Sequence, residues 1–216
     1  MRRRLYLLRH GAVAYFGPDG PAAPEGVPLT DAGRAQAEAA RDALAAVPFD
    51  RVIASDLPRT IETARLVAPG HEPEPWPELR EWRGGRLADL PEEGLEREFT
   101  GALRPAAEDV RFLGGETLGQ LLDRVLPALE RLLALEWETA LAVLHGGVNR
   151  ALISHALAGG RAFFGGIEQP PACINVLDVD AEGWLVRTVG YVPYAAVDPA
   201  RSTTMEELWA EYRQFS

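Results

Sequence analysis

The chain has 216 residues, of which 47% are hydrophobic, and a formal net charge of −10. This is enough apolar material for the core of one large domain, and the acidic balance argues against nucleic acid or an anionic membrane as partner. The single cysteine, Cys173, excludes an internal disulfide, and the four-residue apolar run near the N-terminus is too short for a secretory signal, so we expect a cytoplasmic protein.

Hydrophobic runs and turn residues predict the elements of the first half of the chain. In chain order they are a short buried strand at 6–8, a Gly/Pro loop at 17–28, an Ala-rich helix at 30–47, a strand at 51–55 and a helix at 58–68. Residues 69–116 do not continue this alternation of strands and helices. They contain many prolines, glycines and charged residues, and no clear strand is predicted there.

The second half begins with a long apolar-periodic helix at 117–138, which Pro127 is expected to kink. A strand at 140–147, a helix at 148–159 and two antiparallel strands at 173–180 and 183–190 follow. Strands that alternate with helices favour a parallel sheet covered on both faces. We therefore predict a single α/β domain over 1–216, a three-layer α/β/α sandwich whose mostly parallel central sheet has one antiparallel strand.

Two further segments complete the predicted domain. Residues 69–116 are interpreted as a helical and loop insertion beside the active site. Residues 204–216 are predicted to form an amphipathic helix, with Thr203 and Glu206 or Thr204 and Glu207 as a capping box. We expect its apolar stripe to be buried. It can pack against the chain's own core, close over the active-site mouth, or contact a second subunit in a homodimer.

Charged and polar residues follow three of the predicted strands where each strand ends. Arg9 and His10 follow the first strand, Arg59 lies near the end of the second, and His145 follows the third. A parallel sheet brings such ends together. Arginine forks and helix N-termini bind phosphate, and a neutral imidazole can attack phosphorus. The histidines lack the short spacing of zinc ligands, so a small phosphorylated substrate is predicted rather than a metal site.

These residues belong to six blocks that resemble those of the histidine phosphatase superfamily, the phosphoglycerate mutase-like family. The blocks occur in family order, namely LLRHG (7–11), PLTDAGRAQA (28–37), SDLPRTIETA (55–64), LREWRGG (79–85), GGETLGQLLDRV (114–125) and VLHGGVNR (143–150). Together they are highly specific, although each alone is weak.

The resemblance implies catalytic roles for single residues of this chain. His10 is implied as the nucleophile that becomes phosphohistidine, with Arg9, Arg59 and His145 holding the phosphoryl group. Glu81 is implied as the proton donor to the leaving oxygen, with Glu78 and Glu116 as rival acids. No metal and no other cofactor is expected. These roles fit the loose transition state of phosphoryl transfer, which depends on positioning and charge.

The chain also departs from the family pattern. Val13 and Phe16 stand where many members carry a hydroxyl and an asparagine. The pocket is therefore expected to be more apolar, with Tyr15 and Phe16 as walls. Gly11 and Gly146 are expected to let backbone N–H groups approach the bound anion.

Three functions from different classes follow. The first is a metal-independent phosphomonoesterase that acts on a small phosphorylated metabolite through phosphohistidine. The second is a phosphoglycerate mutase, which needs additional polar and cationic contacts, and the loss of the two polar positions argues against it. The third is a catalytically inactive binding or regulatory protein, against which the complete catalytic set argues.

Overall fold

A six-stranded sheet lies at the centre of the protein. The computed structural model describes residues 1–17, 20–21, 23–101, 104, 106–195 and 201–215. The strands are β1 (Arg3–Arg9), β2 (Phe16–Gly17), β3 (Gly20–Pro21), β4 (Arg51–Ala54), β5 (Glu74–Pro75), β6 (Thr139–Leu144), β7 (Ile174–Asp180) and β8 (Gly183–Tyr191). The helices are α1 (Asp31–Ala43), α2 (Pro58–Val67), α3 (Leu95–Gly101), α4 (Leu118–Ala134), α5 (Gly146–Ala158) and α6 (Thr204–Phe215).

The strand directions confirm the predicted mixed sheet. Its order is β5-β4-β6-β1-β7-β8, and β7 runs antiparallel to both of its neighbours while the other pairs are parallel. β1 is longer than predicted because Arg4 joins it and forms an ion pair with Asp178 opposite on β7, at 2.7 Å. β5 was not predicted, since two residues that include a proline carry no alternating pattern.

The two faces of the sheet are covered by different helices, which confirms the three-layer architecture. On β1, Leu5 and Leu7 belong to a core cluster shared with α4 and α5. Tyr6 and Leu8 point the other way, into a cluster shared with α1 and α2. The alternation follows from the two-residue period of a strand.

α4 ends earlier than the sequence predicted. It continues through Pro127 as a single helix but stops at Ala134, and Leu135 is extended. The indole N–H of Trp137 then donates to the carbonyl of Leu132 at 2.8 Å, which satisfies one of the last carbonyls of the helix. Among the described helices, none has the length and apolar character needed to cross a membrane.

The C-terminal helix packs on the insertion of the same chain. Thr203 and Glu206 form the predicted capping box, with reciprocal hydrogen bonds of 2.7 and 3.3 Å. Met205, Leu208, Trp209 and Tyr212 of α6 pack on a cluster that includes Phe99 of α3. The side chain of Phe215 lies outside the described part of the structure, and the homodimer stays a prediction.

Candidate active site

His10 follows the last residue of β1, at the carboxyl end of the strand. Its ring is buried, and its Nδ1 lies 2.8 Å from the carbonyl oxygen of Gly11. A carbonyl only accepts, so the proton resides on Nδ1 and the lone pair on Nε2. Burial lowers the pKa of His10 well below its ordinary value, and the charges of Arg9 and Arg59 lower it further. His10 is therefore a neutral imidazole with an unprotonated Nε2.

Two arginines flank His10, each anchored by a backbone carbonyl. Arg9 Nη1 donates to Gln169 O and Arg59 Nη1 donates to Pro24 O, both at 2.5 Å. The Nε atoms of both arginines are buried and have no hydrogen-bond partner among the described residues. These are charged donors with unused capacity, which suits a dianionic oxyanion.

The second histidine, His145, comes from the neighbouring parallel strand. β6 ends at Leu144, so His145 becomes the N-cap residue of α5, and its ring centroid lies 5.2 Å from that of His10. Its Nε2 is 2.7 Å from Ser55 Oγ, which fixes the ring plane. Within the described residues, the buried Nδ1 has no partner. Burial lowers the pKa of His145 well below its ordinary value, and the positive charges of Arg59, Arg9 and Arg124 lower it further.

Glu81 reaches the same place from the insertion. Its carboxylate accepts the N–H of Gly147 at 3.0 and 3.2 Å and that of Trp82 at 2.8 Å. A Cβ on Gly147 would lie 2.6 Å from Glu81 Oε1, so a side chain at that position would displace the carboxylate. A Cβ on Gly146 would lie 3.8 Å from both Glu81 Oε2 and Arg9 Nε, so both groups border the space over Gly146.

The two rival acids occupy other positions. Glu116 is buried in an ion pair with Arg124, at 2.8 Å. Burial opposes its ionisation, but the hydrogen bonds from Arg124 and from the Arg83 N–H outweigh burial and lower its pKa. Glu78 pairs with Arg131 at the surface, at 2.9 Å, and its pKa is lowered by a backbone hydrogen bond and by this arginine. Of the three carboxylates, only Glu81 binds the N-terminus of α5.

Arg124, which sequence reasoning did not single out, fixes the segment that carries Glu81. Its Nη1 donates to the carbonyls of Glu78 and Arg80 at 2.7 and 2.5 Å, and its Nη2 donates to that of Glu81 at 2.8 Å. Its Nε and Nη2 also donate to the Glu116 carboxylate, both at 2.8 Å. The arginine lies in the quoted block 114–125, but its carbonyl partners are not encoded by residue type.

We expect Arg124→Gln to lower both the free energy of unfolding and the turnover number. Removal of one partner of a buried ion pair costs about 3–5 kcal/mol, and the Glu81 segment loses three hydrogen bonds. Urea unfolding and kcat measure the two effects. Arg65→Gln is the control, because Arg65 pairs with Glu72 on the surface and such pairs contribute about 1 kcal/mol or less. Equal stability of the two variants would contradict this role of Arg124.

The remaining predicted residues are placed as follows. Tyr15 lies near Arg59, whose Cζ is 5.9 Å from the ring centroid. Phe16 makes an edge contact with Tyr212 of α6, at 5.6 Å, so it joins the aromatic packing of the C-terminal helix. Val13 forms an isolated bridge with Leu29.

The structure gives a different reason for glycine at position 11 from the one that was predicted. Its N–H donates to Thr63 Oγ1 at 3.2 Å rather than remaining free for an anion. A Cβ at Gly11 would lie 2.3 Å from the carbonyl oxygen of Gly33, at the start of α1. The glycine therefore permits close packing of two backbone segments. Gly146, the first residue of α5, does keep an N–H without an intrahelical partner.

The two buried histidines predict a loss of stability in mild acid. Both have lowered pKa values in the native state, so below pH 6.5, their ordinary value, the unfolded chain binds protons that the native protein does not. Each histidine then removes about 1.4 kcal/mol per pH unit. We expect the free energy of unfolding, measured in urea without phosphate, to fall between about pH 6 and pH 5.

The matched variant His145→Gln removes one of the two titrating rings. The slope of unfolding free energy against pH should then be about half that of the unsubstituted protein. An unchanged slope would contradict the lowered pKa of His145.

Two further findings bear on the expected chemistry. Burial raises the pKa of the Cys173 thiol to about 12, so this group is a poor nucleophile. In the described part of the chain, no group of three or more His, Cys, Asp or Glu side chains is arranged to hold a metal ion.

The chain is similar to a known protein family and to known structures. A family model described as the histidine phosphatase superfamily (branch 1) matches residues 5–191. The chain is 30% identical over 202 residues to a probable phosphoglycerate mutase GpmB of Salmonella paratyphi A, covering 88% of this chain and 94% of the relative. It is 32% identical over 190 residues to an adenosylcobalamin/alpha-ribazole phosphatase of Salmonella typhi, covering 82% and 90%. The crystal structure of the alpha-ribazole phosphatase from Shigella flexneri has the same fold, with a TM-score of 0.67, 24% identity and coverage of 90% and 99%.

Proposed function

The chain belongs to the histidine phosphatase superfamily, and from this premise we propose that it is a metal-independent phosphomonoesterase. It acts on a small phosphorylated metabolite through a phosphohistidine on His10. The observation that carries the proposal is the set of buried nitrogens without partners in the described structure, Arg9 Nε, Arg59 Nε and His145 Nδ1, around a neutral His10. Buried charged donors are costly unless a ligand uses them.

In the first step, His10 Nε2 attacks phosphorus and the bond from phosphorus to the ester oxygen breaks. The electron pair of that bond goes to the leaving oxygen, which takes a proton from Glu81. Arg9 and Arg59 neutralise the charge on the non-bridging oxygens. The products are phosphohistidine, an alcohol and an ionised Glu81.

In the second step, water attacks the phosphoryl group of the phosphohistidine. Glu81 takes a proton from this water, and the bond from phosphorus to nitrogen breaks, with its electron pair returning to Nε2. Inorganic phosphate leaves, and the protonated Glu81 and neutral His10 are restored. One carboxyl group thus serves as acid and then as base.

Phosphoglycerate mutase is the second candidate, because one relative is named as a probable mutase. A mutase holds a bisphosphate through further polar contacts. The side chains of Val13, which pairs with Leu29, and of Phe16, whose ring packs on Tyr212, are apolar and supply no such contact themselves. This favours hydrolysis. A panel of phosphorylated metabolites, assayed for free phosphate with and without 2,3-bisphosphoglycerate, tests the proposal. Phosphate release without the bisphosphate supports it, and isomerisation that depends on the bisphosphate contradicts it.

Activity is expected to survive EDTA, because arginines and imidazoles supply the positive charge around the phosphoryl group. The measurement is the rate of phosphate release before and after dialysis against the chelator. Loss of activity that a divalent cation restores would contradict the metal-independent mechanism.

Nucleic acid is not expected as a partner, because a formal net charge of −10 repels a polyanion, whereas a small anionic substrate can bind at the local cations Arg9 and Arg59.

A further inference from the structure

A third arginine, Arg150, borders the candidate active site. It lies on α5, one turn after Gly146, and helical side chains lean towards the N-terminus of their helix. A Cβ on Gly146 would lie 3.9 Å from Arg150 Nη1 and 3.8 Å from both Arg9 Nε and Glu81 Oε2. The space over Gly146 is therefore lined by two guanidinium groups and the carboxylate of the proposed acid.

The guanidinium of Arg150 is held at one end only. The residue is 4% exposed, and its Nε donates to the carbonyl of Ile167 at 2.7 Å. Among the described residues, neither terminal nitrogen has a hydrogen-bond partner, and no carboxylate forms an ion pair with it. Burial lowers the pKa of Arg150, and the charges of Glu168 and Glu81 act in the opposite direction.

This arrangement leaves hydrogen-bond donors available on a largely buried cation. A buried charge is normally paired, and the anchoring bond to Ile167 needs only Nε. The two free Nη atoms form the end of a planar fork, which matches the two oxygens of a carboxylate or of a phosphate. Arg150 is therefore a cation with two terminal nitrogens available to bind an anion.

The position of Arg150 relates this anion to the leaving group. In the proposed mechanism Glu81 protonates the ester oxygen, so the leaving group extends past Glu81. The space shared by Glu81 Oε2 and Arg150 Nη1 is on that side. An anionic group on the leaving group, a few bonds from the ester oxygen, can reach Arg150 while the phosphoryl group stays with Arg9.

We infer that Arg150 forms a second anion subsite beside the phosphoryl pocket, and that preferred substrates are phosphomonoesters whose leaving group carries a further anionic group, a carboxylate or a second phosphate. This inference rests on the proposed function, because it takes Glu81 to lie at the leaving oxygen. The inference goes beyond the proposed function because it defines a class of substrate.

The test compares substrates that differ only in charge. 2-Phosphoglycolate carries a carboxylate, and 2-phosphoglycolamide carries a neutral amide of the same shape. The unsubstituted protein should prefer the carboxylate in kcat/KM by roughly 10- to 100-fold, as expected for a charge-assisted pair. A second pair, 1,2-ethanediol bisphosphate and 2-hydroxyethyl phosphate, is compared in the same way. Its ratio of kcat/KM values shows whether a second phosphate is preferred as a carboxylate is.

Substitution assigns the preference to the arginine. Arg150→Gln should bring the glycolate-to-glycolamide ratio close to one, mainly through KM for the anionic substrate. Arg150→Lys, which keeps the charge but not the fork, should retain an intermediate ratio, and it carries the comparison if Arg150→Gln does not fold. Arg41→Gln is the control, because Arg41 pairs with Asp42 on the surface of α1 and should leave the ratio unchanged.

The outcomes separate the subsite from the proposed function. A ratio near one in the unsubstituted protein for both substrate pairs, or a large ratio that both Arg150 variants retain, overturns the subsite and leaves the phosphatase intact. A protein that hydrolyses none of these esters, nor p-nitrophenyl phosphate, overturns the phosphatase and the subsite together.

Discussion

His10→Ala is expected to abolish phosphomonoester hydrolysis, with a loss of at least about 10⁴-fold in kcat. The reason is geometric. Nδ1 of His10 is occupied by the Gly11 carbonyl, so Nε2 is the nitrogen available to phosphorus, while His145 Nε2 is held by Ser55. Without His10, Arg9 and Arg59 can still bind the phosphoryl group, but the nitrogen proposed to accept it is lost. The measurement is phosphate release from p-nitrophenyl phosphate.

A second histidine variant provides the control. His155 lies near the end of α5, where its Nδ1 is 2.8 Å from the carbonyl oxygen of Gly160. His155→Ala should retain the activity of the unsubstituted protein. Should His10→Ala hydrolyse the substrate as well as His155→Ala does, His10 is not the nucleophile.

Glu81→Gln is expected to slow esters of poor leaving groups by about 10²- to 10⁴-fold, because the leaving alkoxide no longer receives a proton. p-Nitrophenolate departs without protonation, so its release should slow much less. The amide is close in shape to the carboxylate, and its oxygen can accept the Gly147 N–H that Glu81 accepts. A plot of log kcat against the pKa of the leaving alcohol should therefore be steeper for the variant.

The rival acid at the surface supplies the matched comparison. Glu78→Gln removes a carboxylate that pairs with Arg131 and should leave the plot unchanged. Equal slowing of all esters by Glu81→Gln would show that Glu81 acts only by holding the N-terminus of α5. Another group would then be the acid.

The sequence predicted most of the sheet because the buried strands carry strong local signals. β6 is a largely apolar run, and the β7–β8 pair has a turn between two segments rich in β-branched and other apolar residues. β5 and the two-residue strands β2 and β3 were not predicted, because pairing so short depends on the neighbouring strand rather than on its own residues.

The candidate site was predictable where chemistry resides in side chains at strand ends. Arg9, His10 and His145 each follow or end a strand, and the parallel order of β1 and β6 places them together. The groups that anchor the arginine side chains of the site could not be predicted from the sequence. The carbonyls of Pro24 and Gln169 position Arg59 and Arg9, and a carbonyl has the same chemistry at every residue.

The supporting arginines were missed for a related reason. Arg124 and Arg150 read as ordinary polar residues of helices, and only the tertiary structure shows one holding the Glu81 segment and the other bordering the site. Their helical spacing gives a partial signal. Arg150 follows Gly146 by one turn, which places it on the face of α5 that the candidate site uses.

The central claim is that the phosphoryl group passes through His10, and rapid quenching of the reaction tests it most directly. The protein is mixed with a ³²P-labelled phosphomonoester, stopped in alkali within the first turnover, digested and mapped. We predict label on the peptide that contains His10, stable in alkali and lost in acid, at up to one phosphoryl group per chain. Turnover with no labelled protein at any quench time, or label that maps to another residue, would contradict the account.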